Sequence, residues 1–161
     1  MSLLTKLVLV LVALALSVVV FGLLNNRLPW GEPPGFTQRL ITYLTTNVAE
    51  TELDPRFPEL RERSYPVAVD TLQVAADQAL TTLGWTVVER NEHEASTQVV
   101  IDTPLWQFKD DLRIQLLAEG SRTRVALRSA SRVGRGDLGT NTRHVLDFYA
   151  ALEKALGVTN P

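Results

Sequence analysis

The chain has 161 residues, with sixteen Lys and Arg against eighteen Asp and Glu, and no cysteine. That length suits one domain of ordinary size with an appendage, and the near balance of charge excludes both a polyanion and an electrostatic trap for nucleic acid. The missing thiol excludes disulfides, thiolate metal sites, a cysteine nucleophile and a lipidated cysteine.

Leu7 to Leu24 is an apolar run broken only by Ser17 and Gly22, close to the ~20 residues a bilayer requires. A cleaved signal peptide is the rival reading, but the Ala-x-Ala tract at Ala13 to Ala15 lies in mid-run and would leave too short an apolar core ahead of it. Residues 1–27 are therefore read as a retained single-pass membrane anchor. Lys6 precedes the run, Asn25, Asn26 and Arg27 follow it, and Trp30 stands where an interfacial aromatic would. This arrangement points to an N-terminus in the cytoplasm and a domain on the exported side of the membrane. Ala13 and Ser17 form a small-xxx-small pair suited to helix packing.

Residues 28–63 read as a juxtamembrane amphipathic helix and a linker. Pro29, Pro33, Pro34 and Gly35 exclude continuous helix at the membrane exit. Phe36, Leu40, Tyr43, Leu44 and Val48 then recur with helical period. The stripe suits either a helix lying along the headgroups or one packing on the domain, and the lack of basic residues on its polar face favours packing on the domain. Thr51 to Arg63, with Pro55 and Pro58, reads as irregular.

Residues 64–161 carry the pattern of an α+β domain. Tyr65 to Val67 suits an edge strand. Leu72, Ala76, Ala79, Leu80 and Leu83 mark a helix stopped by Gly84. Trp85–Arg90 and Gln98–Thr103 form a hairpin around a polar turn. Two further strands alternate through Phe108, Asp110, Leu112, Ile114 and Leu116, and through Val125, Leu127 and Ser129. Joining them by pairing Leu117 with Arg122 sets Ile114 opposite Val125, Leu112 opposite Leu127, Asp111 opposite Arg128 and, on the inner face, Asp110 opposite Ser129. A last helix runs from about Asn141 to Leu156. The expected fold is α+β: after the transmembrane helix, an antiparallel sheet of about four to five strands in the order β-α-β-β-β-β-α, with two helices packed on one face.

Bases gather in the second half. From Glu32 to Asp102 acids outnumber bases twelve to five, whereas from Thr103 onward bases outnumber acids nine to six. Gly134, Gly136 and Gly139 match G-x-G-x-x-G, but a single helix remains after them, so no βαβ unit can form. A turn with Asp137 or Thr140 capping the last helix accounts for them. Arg135-Gly136-Asp137 also spells an adhesion tripeptide, taken as coincidence. The candidate cluster comprises Lys109, Asp110, Asp111, Arg128, Ser129, Ser131, Arg132, Arg135, Asp137 and Asn141, gathered at one end of the sheet. It reads either as a structural network or as a cradle for a phosphate or carboxylate. His93 and His144 are too scattered for a metal site, and neither has an evident nucleophile beside it. Asp110 and Asp111 point to opposite faces and make no acid/base pair. Trp85 and Trp106 read as core or rim residues, and no cofactor or nucleic-acid motif is present.

Gly84-Trp85, the tract Thr103 to Asp111 with its Phe-Lys-Asp-Asp, and Arg128 to Asn141 with its Ser-x-Ser-Arg-x-Gly-x-x-Asp-x-Gly together resemble the family catalogued as domain of unknown function 1499, over roughly Asn47 to Leu156. The resemblance implies a bacterial or plastid-type protein with an export signal or membrane segment, and it implies no particular activity. Members frequently open with a Pro-Asn-Cys-Val-Ser-Ser-like segment. Thr46 to Thr51 stands in that place without the cysteine, so any role of that thiol is absent here. The expectation is a membrane-anchored, non-catalytic accessory or binding protein, partnered by the membrane and by other membrane-protein subunits. The alternatives are a binder of a small anion or lipid headgroup at the Arg/Gly loop, and an enzyme.

Overall fold

The structure, a computed structural model, describes residues 1–103 and 108–158. Trp106, assigned to core or rim, lies outside the described residues, as does the rest of the Pro104–Gln107 tract.

One continuous helix, α1 (Leu3–Asn25), is long and apolar enough to cross a membrane. Helix α2 (Phe36–Thr45) follows and stops three residues before Val48. Val48 belongs instead to a short strand, β1 (Val48–Glu50), where extended backbone was not expected. A single 3-10 turn, Pro58–Leu60, precedes β2 (Arg63–Tyr65). Then come α3 (Val69–Leu83), β3 (Thr86–Asn91), β4 (Ser96–Asp102), β5 (Lys109–Glu119), β6 (Arg122–Ser131) and α4 (Thr140–Leu156).

The sheet runs β1-β6-β5-β4-β3, with β2 also on β6, and every pairing is antiparallel. Both short strands therefore cover one edge, β1 along the end of β6 and β2 along its start. One face carries α3 and α4. Leu72, Ala76, Ala79 and Leu80 of α3 and Val145, Phe148, Tyr149 and Leu152 of α4 bury against Leu112, Ile114, Leu116, Val125 and Leu127. The α+β arrangement is that expected, with one more strand.

The β5–β6 register differs by two residues from expectation. Glu119 pairs with Arg122, so the connection is Gly120-Ser121 alone, and Ile114 faces Leu127 while Leu116 faces Val125. Gly120 has φ +63°, the backbone that a two-residue hairpin turn with glycine in first place requires. A shift of two leaves the paired side chains on their expected faces, although Phe108, first in the expected inner series, precedes β5 and is exposed. The shift changes partners: Asp110 lies opposite Ser131 instead of Ser129, and Asp111 opposite Ala130 instead of Arg128. Arg128 now stands opposite Arg113. Like charges so placed repel, and each is drawn aside, Arg113 to Glu94 at 2.8 Å and Arg128 to Glu50 of β1 at 3.7 Å.

Candidate functional site

The ten residues of the candidate cluster separate into two sets. On the exposed side of the sheet, Lys109 meets Asp102 at 2.6 Å, Arg132 forks onto Asp111 at 2.9 and 2.6 Å, and Arg128 reaches Glu50. These pairs sit in solvent, where each contributes about 0–1 kcal/mol. Arg135 is exposed and, among the described residues, has no charged partner.

The other set is interior. Asp110, Ser129 and Asn141 are at most 1% exposed, and Ser129 and Ser131 at the end of β6 both bond to Asn141 at the start of α4. Asn141 Nδ2 donates toward the Asn47 carbonyl at 2.9 Å, Ser131 Oγ at 2.8 Å and Asp137 Oδ2 at 2.7 Å, while its Oδ1 accepts from Ser129 Oγ at 2.6 Å. Asp137 accepts the amides of Gly139 and Asn141, each at 2.8 Å. It thereby caps α4, as expected, and occupies the amides that an anion at this helix start would use.

His144, one turn further along α4, joins this set, with a serine hydroxyl beside it that the sequence did not reveal. Its Nδ1 lies 3.3 Å from Ser129 Oγ and 3.7 Å from Asp110 Oδ2. Asn141, His144, Val145 and Phe148 share the inward stripe of α4, and that spacing was a signal available in the sequence. The trio does not form a nucleophile relay. Ser129 gives its proton to Asn141, so the imidazole meets the lone pair of the hydroxyl, the reverse of a general base withdrawing a proton. Serine and aspartate also approach the same ring nitrogen, whereas a relay uses both.

Burial depresses His144 to about 4. Burial also raises the Asp110 carboxyl, with Ser131 opposing by a hydrogen bond and the charges of Asp137 and Asp111 adding to the rise. Asp110 Oδ2 has no hydrogen-bond partner among the described residues. Both groups are thus driven toward their neutral forms by the same cause, withdrawal from water.

A second buried polar centre had no strong sequence signal. Arg39 of α2 is 0% exposed, and its guanidinium is fully engaged. Nε donates to the Glu32 carbonyl at 3.1 Å, Nη1 to Tyr43 Oη at 3.1 Å and to Glu59 Oε1, and Nη2 to the Pro33 carbonyl at 2.6 Å and Glu59 Oε2 at 2.9 Å. The guanidinium also stacks 5.1 Å from the Phe57 ring centre. This fork fixes the segment leaving α1, helix α2 and the turn before β2 to one another.

The glycine loop between β6 and α4 receives the same juxtamembrane segment. A Cβ on Gly136 would fall 2.2 Å from the Leu44 carbonyl oxygen, and one on Gly139 would fall 2.3 Å from Leu28 Cδ1. Leu138 N donates to the Tyr43 carbonyl at 3.0 Å and Asp137 N to that of Thr46 at 3.3 Å. Asn26, at the end of α1, donates to the Leu138 carbonyl at 2.9 Å and to Thr140 Oγ1 at 3.2 Å. Leu23, Leu28 and Tyr43 bury together against Val19, Trp30, Leu40 and Leu138. Two of the three motif glycines therefore leave room for the protein's own chain. Beside this junction lies a cleft of about 290 Å³ lined by Tyr43, Thr46, Phe57 and Thr142 together with the carboxylates Glu50, Glu52 and Asp137.

These features define an α+β domain with two helices on one face of an antiparallel sheet, locked to a preceding apolar helix through its glycine loop. The chain belongs to the family described as "Protein of unknown function (DUF1499)", which it matches over residues 30–152. That span begins at Trp30 and so takes in α2, ahead of the Asn47 start of the sequence resemblance. No curated protein matches. Among solved structures, CalU16 from Micromonospora echinospora is similar at 12% identity and TM-score 0.38, covering 56% of this chain and 72% of that one. TTHA0849 from Thermus thermophilus is similar at 14% identity and TM-score 0.36, covering 68% of this chain and 96% of that one. Likenesses this distant carry no argument about function.

Proposed function

We propose that the protein is a membrane-tethered, non-catalytic accessory module, a minor subunit that presents its α+β domain at the bilayer in a fixed pose. The observation carrying this reading is Asn26: the residue closing α1 is bonded to Leu138 and Thr140 of the domain, which a flexible tether would not be. The Ser129, His144 and Asp110 group favours a structural role over catalysis, because its proton directions oppose nucleophile activation. With Lys6 before the apolar run, the domain faces the periplasm of a bacterial inner membrane.

Affinity purification of the tagged full chain from mild detergent, followed by native mass spectrometry, tests the subunit reading. A stoichiometric membrane-protein partner is expected, and recovery of the chain alone would overturn it. Binding of a small soluble anion at the loop has weaker support. Asp137 already holds the helix amides, Arg132 is engaged by Asp111, and the neighbouring cleft carries carboxylates.

A further inference from the structure

Leu138 is held where its backbone resists being. Its φ is +57°, a left-handed conformation costing a non-glycine residue about 1–2 kcal/mol. The strain seats its side chain on the apolar helix, with Cδ1 2.6 Å from where a Cβ of Gly22 would stand, in the cluster that also contains Val19. Gly22 and Val19 precede the last helical residue, Asn25, by three and six positions, which is roughly 4.5 and 9 Å along the axis at 1.5 Å per residue. If α1 spans the bilayer, a domain loop packed that far back along it reaches the edge of the hydrocarbon.

Both chain segments that meet at this contact, α2 and the loop after β6, carry exposed apolar side chains. On α2, Phe36 is 59% exposed, Ile41 57% and Leu44 43%, on an arc beside Leu40, which itself packs into the Leu23 and Leu28 cluster. On the loop, Val133 is 69% exposed. Arg27 and Arg135 stand exposed near the same junction, without charged partners among the described residues. An apolar arc with two free guanidiniums beside it suits the boundary between acyl chains and phosphates.

We propose that α2 and the loop from Val133 to Leu138 form a second contact with the bilayer that holds α1, seating Phe36, Ile41, Leu44 and Val133 below the headgroups and Arg27 and Arg135 among the phosphates of anionic phospholipids. This rests on the reading of α1 as a membrane anchor. The bilayer is favoured over a protein partner because the arc continues a helix whose own surface is already lipid-facing, and over a second copy because the bases would then face one another.

The chain has no cysteine, so single nitroxide labels can be placed at will. Full-length Val12→Cys, Leu44→Cys, Val133→Cys and Val74→Cys, the last at an exposed position of α3, are reconstituted in vesicles of phosphatidylethanolamine and phosphatidylglycerol. Electron paramagnetic resonance then compares relaxation by oxygen with relaxation by a water-soluble nickel chelate. Oxygen dominance at 12, 44 and 133, with chelate dominance at 74, is the expected result. Arg135→Glu in the Val133→Cys chain should move that label toward the chelate. Labels at 44 and 133 as water-accessible as that at 74, with 12 still in lipid, would overturn this inference while leaving the anchor intact. Water access at 12 as well would overturn the anchor reading and this inference with it. Dipolar broadening between labels at 133 would replace the bilayer with a second copy of the chain.

Discussion

Gly136 and Leu44 meet backbone to backbone: the space a β-carbon would need on the glycine is filled by the leucine's carbonyl oxygen, 2.2 Å away. Gly136 has no positive φ, so space alone demands glycine here. Gly136→Ala should push α2 off the loop and destabilise the chain by about 1–3 kcal/mol, the usual cost of overpacking. Limited proteolysis should show new cleavage between residues 28 and 47. Gly31→Ala, where nothing lies within 4 Å, is the control and should leave the pattern unchanged.

Arg39 should be the most costly single substitution in the juxtamembrane segment. Arg39→Met leaves the largely buried side chain of Glu59 without its partner and frees two backbone carbonyls, a loss on the order of 3–5 kcal/mol. Arg39→Lys should recover little of it, since an ammonium cannot reproduce the planar fork. Thermal unfolding of the full chain in detergent reads both.

Asp110→Asn should stabilise the protein at neutral pH. The folded state holds this carboxyl above its ordinary 3.8, so its contribution is fully present below 3.8 and is lost as pH rises through the folded value. An amide that cannot ionise escapes that loss, and the gain should be about 1 kcal/mol or more at pH 7. Near pH 3 the variant and the parent should melt together. A variant that melts lower at pH 7 would mean that the ionised carboxylate has a partner.

His144 acts in the opposite sense. Its folded value of about 4 lies below the ordinary 6.5, so its contribution is present above 6.5 and is lost as pH falls toward 4. The loss is on the order of 3 kcal/mol. Because Asp110 titrates against it, the slope is best measured in the Asp110→Asn chain, where stability should fall steadily between pH 6.5 and 4. His144→Gln in that background should flatten the curve.

What the sequence could reveal follows from which physical signals repeat. Strand alternation has a period of two, so it assigned Leu112, Ile114, Val125 and Leu127 to the inner face correctly while remaining blind to a slip of two. The turn decided the register: Gly120-Ser121 is enough to close the hairpin, and a four-residue loop at Ala118 to Ser121 is not used. The interior position of Asp110, Ser129 and Asn141 was legible from the same alternation and from helical spacing. Arg39 was not. An arginine four residues from a tyrosine looks like a solvated face, and its partner Glu59 lies twenty residues on, beyond any local pattern. β1 was missed for a related reason, since three residues carry too little alternation to register and their identity as a strand is conferred by β6.

The guanidinium of Arg39, saturated by its own chain, changes what the stretch between α1 and the sheet can be. A connector pinned at both ends by buried contacts has no slack, so its length is not a free variable. Inserting flexible residues before Phe36 would unseat the domain instead of lifting it, and a partner approaching it would meet one orientation and one height.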